Sequence, residues 1–163
     1  MEIINKASDK FKDKQAEVCE PLFELLRQIN EQERLMYDKD CEIRARSKQL
    51  SAGEEENERR QMWEVYRANC KEIVDERCTE KLIKRGYAKS FGPNPMYGYI
   101  DGDFTAIFKM SSPKKATVEF VLDVKGTERF LHTFTMVYYS GKWLADSFTY
   151  GSDKQLIRRK THI

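Results

Sequence analysis

Two side chains in the second half of this 163-residue sequence have the types that proton transfer uses, His132 and Asp146. Each interrupts the apolar phase of a β-type run, His132 between Phe130 and Phe134, Asp146 between Leu144 and Phe148. At period two, both would point to the covered side of a sheet, where desolvation brings imidazole and carboxyl pKa values toward neutrality. They are the pocket candidates of an enzyme or small-molecule-binding reading. Two plainer readings compete: a lone histidine in an apolar row is more often a hydrogen-bonded core residue, and Asp146 also fits a bulge or a sheet edge.

Nothing assembles around the pair. No glycine-rich nucleotide motif, zinc-protease helix or nucleophile elbow occurs, and the only other histidine, His162, lies in the tail. The four cysteines, Cys19, Cys41, Cys70 and Cys78, lack CxxC spacing, which predicts reduced, partly buried thiols in place of a zinc site or disulfide framework. The sequence predicts a protein without cofactor or metal, and not an enzyme.

The elements that would position these residues fall in two blocks. From about Gln15 to Leu50, apolar residues recur at helical spacing, with Leu22, Ile29, Met36, Ile43 and Leu50 every seventh residue. Their companions Glu33, Asp40 and Ser47 are polar, which predicts a helix laid on a core and not a coiled coil. Pro21 reads as a helix start or a kink. A second helix is predicted from a cap at Ser51 or a neighbour to Gly86, with Met62, Trp63, Tyr66, Cys70, Ile73 and Val74 as its stripe.

After Gly86 the aromatic, proline-bearing stretch 87–102 is a connecting loop. Four β-type runs follow within 103–150, joined by the turn signals SSPK, KGT and SGK, which predicts an antiparallel meander. Residues 151–163 read as a last edge strand or a basic tail. The expected whole is one domain, 1–163, helical over 1–86, an α+β fold of N-terminal helices packed on a curved antiparallel sheet.

Charge sets limits on partners. Lys and Arg total 29 against 27 Asp and Glu, and residues 1–85 carry a net charge of −2 while 86–163 carry +4. The basic residues of the first half are each shadowed by acids, so no nucleic-acid partner is expected. No run approaches the ~18 apolar residues of a membrane span and no signal peptide opens the sequence, so the expectation is a cytoplasmic protein without a membrane partner.

Three stretches, "SFGPNPMY", "KKATVEF" and "GKWLADSFTYG", carry a resemblance in their order and spacing. The chain from about Met62 to Gly151 resembles the nuclear-transport-factor-2-like immunity proteins that accompany bacterial polymorphic toxins, the Rhs-type included. The matching segments are Pro95 to Tyr97, Lys115 to Val118, and Trp143 with Leu144; Ala145 and Asp146 stand where the family often has Ile-Asp. The resemblance implies a cone-shaped fold and a cytoplasmic toxin inhibitor of bacterial competition, type VI secretion included, that binds its cognate toxin domain as a tight protein–protein complex. The alternative is a small-molecule-binding protein or enzyme using the pocket of this fold; a homodimer through the outer sheet face is a third reading. Under the immunity reading, the candidate toxin contacts are the acidic run Glu54, Glu55, Glu56 and Glu58 and the loop residues Tyr97, Tyr99, Asp101 and Asp103, which join charge to aromatic surface. Acids in a first helical turn also stabilise the helix dipole, and the aromatic loop also suits a cover for the open end of a core.

Overall fold

A computed structural model describes residues 1–124, 128–152 and 159–163, apart from the side chains of 123, 124 and 128. The elements run in the order strand β1 (Glu2–Asn5), a 3-10 stretch (Asp9–Lys14), helices α1 (Gln15–Arg46), α2 (Ala52–Arg77) and α3 (Glu80–Ile83), a 3-10 turn (Gly98–Asp101), then strands β2 (Thr105–Ser112), β3 (Lys115–Val124), β4 (Glu128–Tyr139), β5 (Lys142–Ser152) and β6 (Arg159–Thr161). They make an α+β fold, long helices against one open sheet in the order β1-β2-β3-β4-β5-β6.

The helices follow their predicted stripes. Leu22, Ile29, Met36 and Ile43 of α1 are buried, as are Met62, Tyr66, Cys70 and Val74 of α2. Ser51 caps α2 in a reciprocal capping box, its side chain accepting the Glu54 N–H while the Glu54 carboxylate accepts the Ser51 N–H at 2.8 Å. Pro21 lies inside α1, in its second turn. The second helix is shorter than its apolar pattern. It stops at Arg77 because Cys78 turns extended, pairs with Ala145 of β5, and lets the Thr79 N–H donate to the Ala145 carbonyl at 2.9 Å.

The sheet departs from the antiparallel meander in one respect. Strands β2 to β6 are antiparallel, but β1 pairs parallel to β2, so the sheet is mixed. Four residues at the N-terminus carry no hairpin signal toward a partner about a hundred residues away, and the 1–86 segment is therefore not wholly helical. Between β4 and β5, Ser140 and Gly141 both have positive φ, 49° and 85°, the two-residue turn that matches strand twist. The predicted KGT turn, residues 125–127, lies outside the described residues, as does 153–158 of the predicted tail; Arg159–Thr161 form an edge strand.

The inner face carries the expected rows. Phe108, Val118, Phe120, Phe134 and Phe148 are fully buried beneath Leu22, Leu25 and Leu26 of α1 in one cluster. Phe134 and Phe148, opposite each other on β4 and β5, stack with centroids 4.5 Å apart and planes 6° from parallel. The distal half of the α1–α2 hairpin has its own small core of Met36, Ile43, Met62, Tyr66 and Cys70, closed by Trp63 and Phe91.

Candidate functional site

Beneath the sheet His132 is packed among the loop tyrosines. His132 faces inward from β4, as its period predicts, with its Nδ1 3.1 Å from the Tyr99 hydroxyl. Tyr97, Tyr99 and Phe148 all pack edge-on against its ring. Burial lowers the His132 pKa to about 4, so the ring is neutral at physiological pH. It does not line five clefts of about 230 to 680 Å³ formed by the described residues; Tyr99 reaches one of about 580 Å³ beside Met1, Asp103 and Phe104.

Asp146 does not join it. The register passes from Thr135 opposite Ser147 to Met136 opposite Ala145, so Asp146 is the extra residue of a β-bulge. The bulge shifts the alternation: Ala145 and Phe148 are fully buried, while the Asp146 carboxylate accepts the Thr79 hydroxyl at 3.0 Å and pairs with Lys81. It ties the α2–α3 junction to β5. Of the two readings, the plainer one for Asp146, a bulge, holds; it does not share a face with His132, and no proton-transfer pair is assembled among the described residues.

The loop 87–102 is held by a set of α1 residues that sequence reasoning missed. Asn30, fully buried, donates from Nδ2 to the Tyr97 carbonyl at 2.8 Å and accepts the Tyr97 N–H at 3.1 Å, as a neighbouring strand would. One turn on, Glu33 accepts the Met96 N–H at 2.9 Å, and Arg34 pairs with Asp101 at 2.7 Å. The only signal was a row of polar residues at positions 30, 33 and 34 beside an apolar seam, which shares a helix face. Burial raises the carboxyl pKa of Glu33. The tyrosine so fixed is 0% exposed and its hydroxyl has no partner among the described residues, so Tyr97 is no surface contact. Tyr99 is half-buried; Asp101 and Asp103 are exposed, Asp103 pairing with the N-terminal amine at 3.2 Å.

The acidic run sits elsewhere. Glu55 pairs with Arg59 at 3.0 Å and Glu58 with Arg46 at 2.7 Å, and Glu54 is spent on the cap, whose hydrogen bonds hold its carboxyl below the usual range. Neither Glu54 nor Glu56 forms an ion pair among the described residues. These residues lie beside positions 40–46 of α1, and the loop lies beside 30–34, about 15 Å down the helix. The two sets of candidate contacts do not make one patch.

Cys19, Cys70 and Cys78 are buried, and burial pushes each thiol up to about 12, out of reach of nucleophilic chemistry. Cys41 is exposed. Among the described residues no three His, Cys, Asp or Glu could hold a metal, and no helix is long and apolar enough to cross a membrane. Comparison with known proteins finds no match: no family model, no curated protein and no solved structure. The site is read from its own geometry.

Proposed function

We propose that this chain is an immunity protein of the nuclear-transport-factor-2-like kind, which binds a cognate bacterial toxin domain and neutralises it by forming a tight complex in the cytoplasm. The observation that carries this reading is the interior beneath the sheet, where Tyr97 is fully buried in the core cluster, Tyr99 packs against that cluster, and both lie edge-on to His132. Function is then left to the surface, where affinity comes from complementarity and needs no reacting group. The adjacent toxin domain, co-expressed with this protein in a sensitive host, is the test. Rescue of growth with a complex recovered on purification is expected; rescue without a complex, or no rescue, overturns the reading.

A second reading, a small-molecule carrier or enzyme, draws on the Tyr99–His132 hydrogen bond and the unpartnered Tyr97 hydroxyl, polar groups set in an apolar interior. It requires the loop to leave. Tyr99→Phe and His132→Gln abolish function under this reading and leave toxin neutralisation intact under the first.

A further inference from the structure

A group of exposed lysines lies at the opposite end of α1 from the acidic run, beside Glu17 and Trp143. The parallel β1, the β2–β3 turn and the β4–β5 turn converge at one end of the sheet, and the side chains they expose there include Lys6, Lys10, Lys114, Lys115 and Lys142. None of the five forms an ion pair among the described residues. The carboxylates nearby are engaged: Asp9 with Lys12, Glu17 with Lys14 and with the Trp143 indole, Glu119 with Lys109. Asp13 forms no ion pair among the described residues, and one carboxylate cannot offset five ammonium groups, of which Lys142 also donates to the Glu76 carbonyl at 2.8 Å.

The same end is built for contact in a second way. A cleft of about 680 Å³ runs between the lysines, floored by Ala7 and Met110 and edged by Ser8, Ser111 and Thr117. Next to it a smaller hollow of about 230 Å³ is walled by Phe11, Pro113, Tyr138 and Trp143. Tyr139 is 68% exposed and Tyr138 38%, the rigid amphipathic side chains that serve as interface anchors. The cations lining these two hollows are lysines, which lack the bidentate fork that phosphate recognition favours. Lysine ammonium groups around apolar hollows fit carboxylates interspersed with apolar side chains.

We propose that this lysine-rich end of the sheet is the docking surface and that its partner is a protein presenting an acidic surface. The inference rests on the binding-protein reading above and deepens it, and it reverses the sign of the partner that the Glu54–Glu58 run implied. Steering by the five lysines raises the association rate at low salt, and the tyrosines and hollows supply the contact that persists at high salt.

The probes are a peptide rich in Glu and Asp with interspersed leucines and a DNA duplex of equal net charge, titrated at low salt. The peptide is expected to bind, with Lys114→Glu/Lys115→Glu weakening it at least about tenfold and Glu55→Lys/Glu56→Lys leaving it no weaker. Equal peptide affinity in wild type and the Lys114→Glu/Lys115→Glu variant overturns the proposal. So does tighter binding of the duplex, which would assign the surface to nucleic acid, or salt-sensitive self-association lost in the variant, which would assign it to a second copy. Lys114→Gln/Lys115→Gln, which adds no repulsion, gives a smaller loss in the same direction and covers a reversed variant that fails to fold. The toxin is not used in this titration, so failure of growth rescue and failure of this surface are read separately.

Discussion

The two halves of the α1–α2 hairpin share one seam and are stabilised by different physics. In the lower half, Leu22, Leu25, Leu26 and Ile29 lie on the sheet in a continuous apolar cluster with Phe108, Phe120, Phe134 and Phe148. In the upper half, Met36 and Ile43 continue the seam, but Asp40 beside them is buried and held by Arg44 at 2.5 Å and by Arg59 across the hairpin. The lower half is stabilised by area removed from water, which is non-directional. The upper half depends on the geometry of a buried carboxylate, which is stable only while its partners stand.

The comparison breaks first at the stacked pair. Phe148→Ala removes a fully buried ring and is expected to lower stability by about 3–5 kcal/mol in urea unfolding, whereas Trp63→Ala, at the half-buried edge of the upper core, is expected to lose about half as much. Similar losses would mean that the upper half is packed as tightly as the sheet-backed core. Next is Asp40→Ala, which removes the tie across the hairpin and leaves Arg59 paired with Glu55 alone; a loss of about 2–3 kcal/mol is expected, and Asp40→Asn, which keeps a hydrogen-bond acceptor, is expected to recover part of it. A loss under 0.5 kcal/mol, as for an exposed pair, would show the carboxylate to be solvated.

The third test is a pH profile. The His132 pKa is about 4 in the folded chain against 6.5 unfolded, so below pH 6.5 the unfolded chain takes up a proton that the folded one refuses. Stability is full above pH 6.5 and falls as pH drops toward 4, by about 2 kcal/mol after allowance for the ring's partial exposure. His132→Gln is expected to flatten that decline. Glu33 in the upper half works the other way. Its folded pKa is raised above the unfolded value, so the stability that its protonated form supplies is present at low pH and lost as pH rises through the folded value. Glu33→Gln keeps an acceptor for the Met96 N–H and removes the buried charge; the unfolding free energy at pH 8 is expected to rise by about 1 kcal/mol, with the gain vanishing below pH 4.5. Smallest is Ser51→Ala, which removes one side of the cap on α2 and is expected to lower stability by about 1 kcal/mol, an effect confined to the hairpin tip in hydrogen exchange.

Much of the fold was legible because its signals are local. The alternation of Val118, Phe120 and Leu122, and of Phe130, His132, Phe134 and Met136, is read from neighbours two residues apart, and β3 and β4 run as that alternation predicts, Lys115–Val124 and Glu128–Tyr139. The Ser51 cap and the Ser140-Gly141 turn are local as well. The candidate site was less legible. His132 faces the interior as its phase says, but Asp146 has the same phase and faces elsewhere, because one bulge at Thr135–Met136 moves every later side chain by one place. Tyr97 reads either as a surface contact or as a cover for the core, and the choice is made by distant partners: Asn30, 67 residues away, holds its backbone, and Phe134 and Phe148 pack on its ring. Strand β1 has no local partner at all.

By itself the sequence determined the two long helices and strands β2 to β5, which of their faces are apolar and where the last hairpin turns, since each depends on residue types within one or two turns of chain. Only the tertiary structure decided that the sheet is mixed, that α2 ends where β5 captures Cys78 and Thr79, that the loop tyrosines fill the interior, and that five lysines from distant stretches meet at one end. Those outcomes depend on which backbone groups and charges distant segments bring together, and no local spacing encodes that.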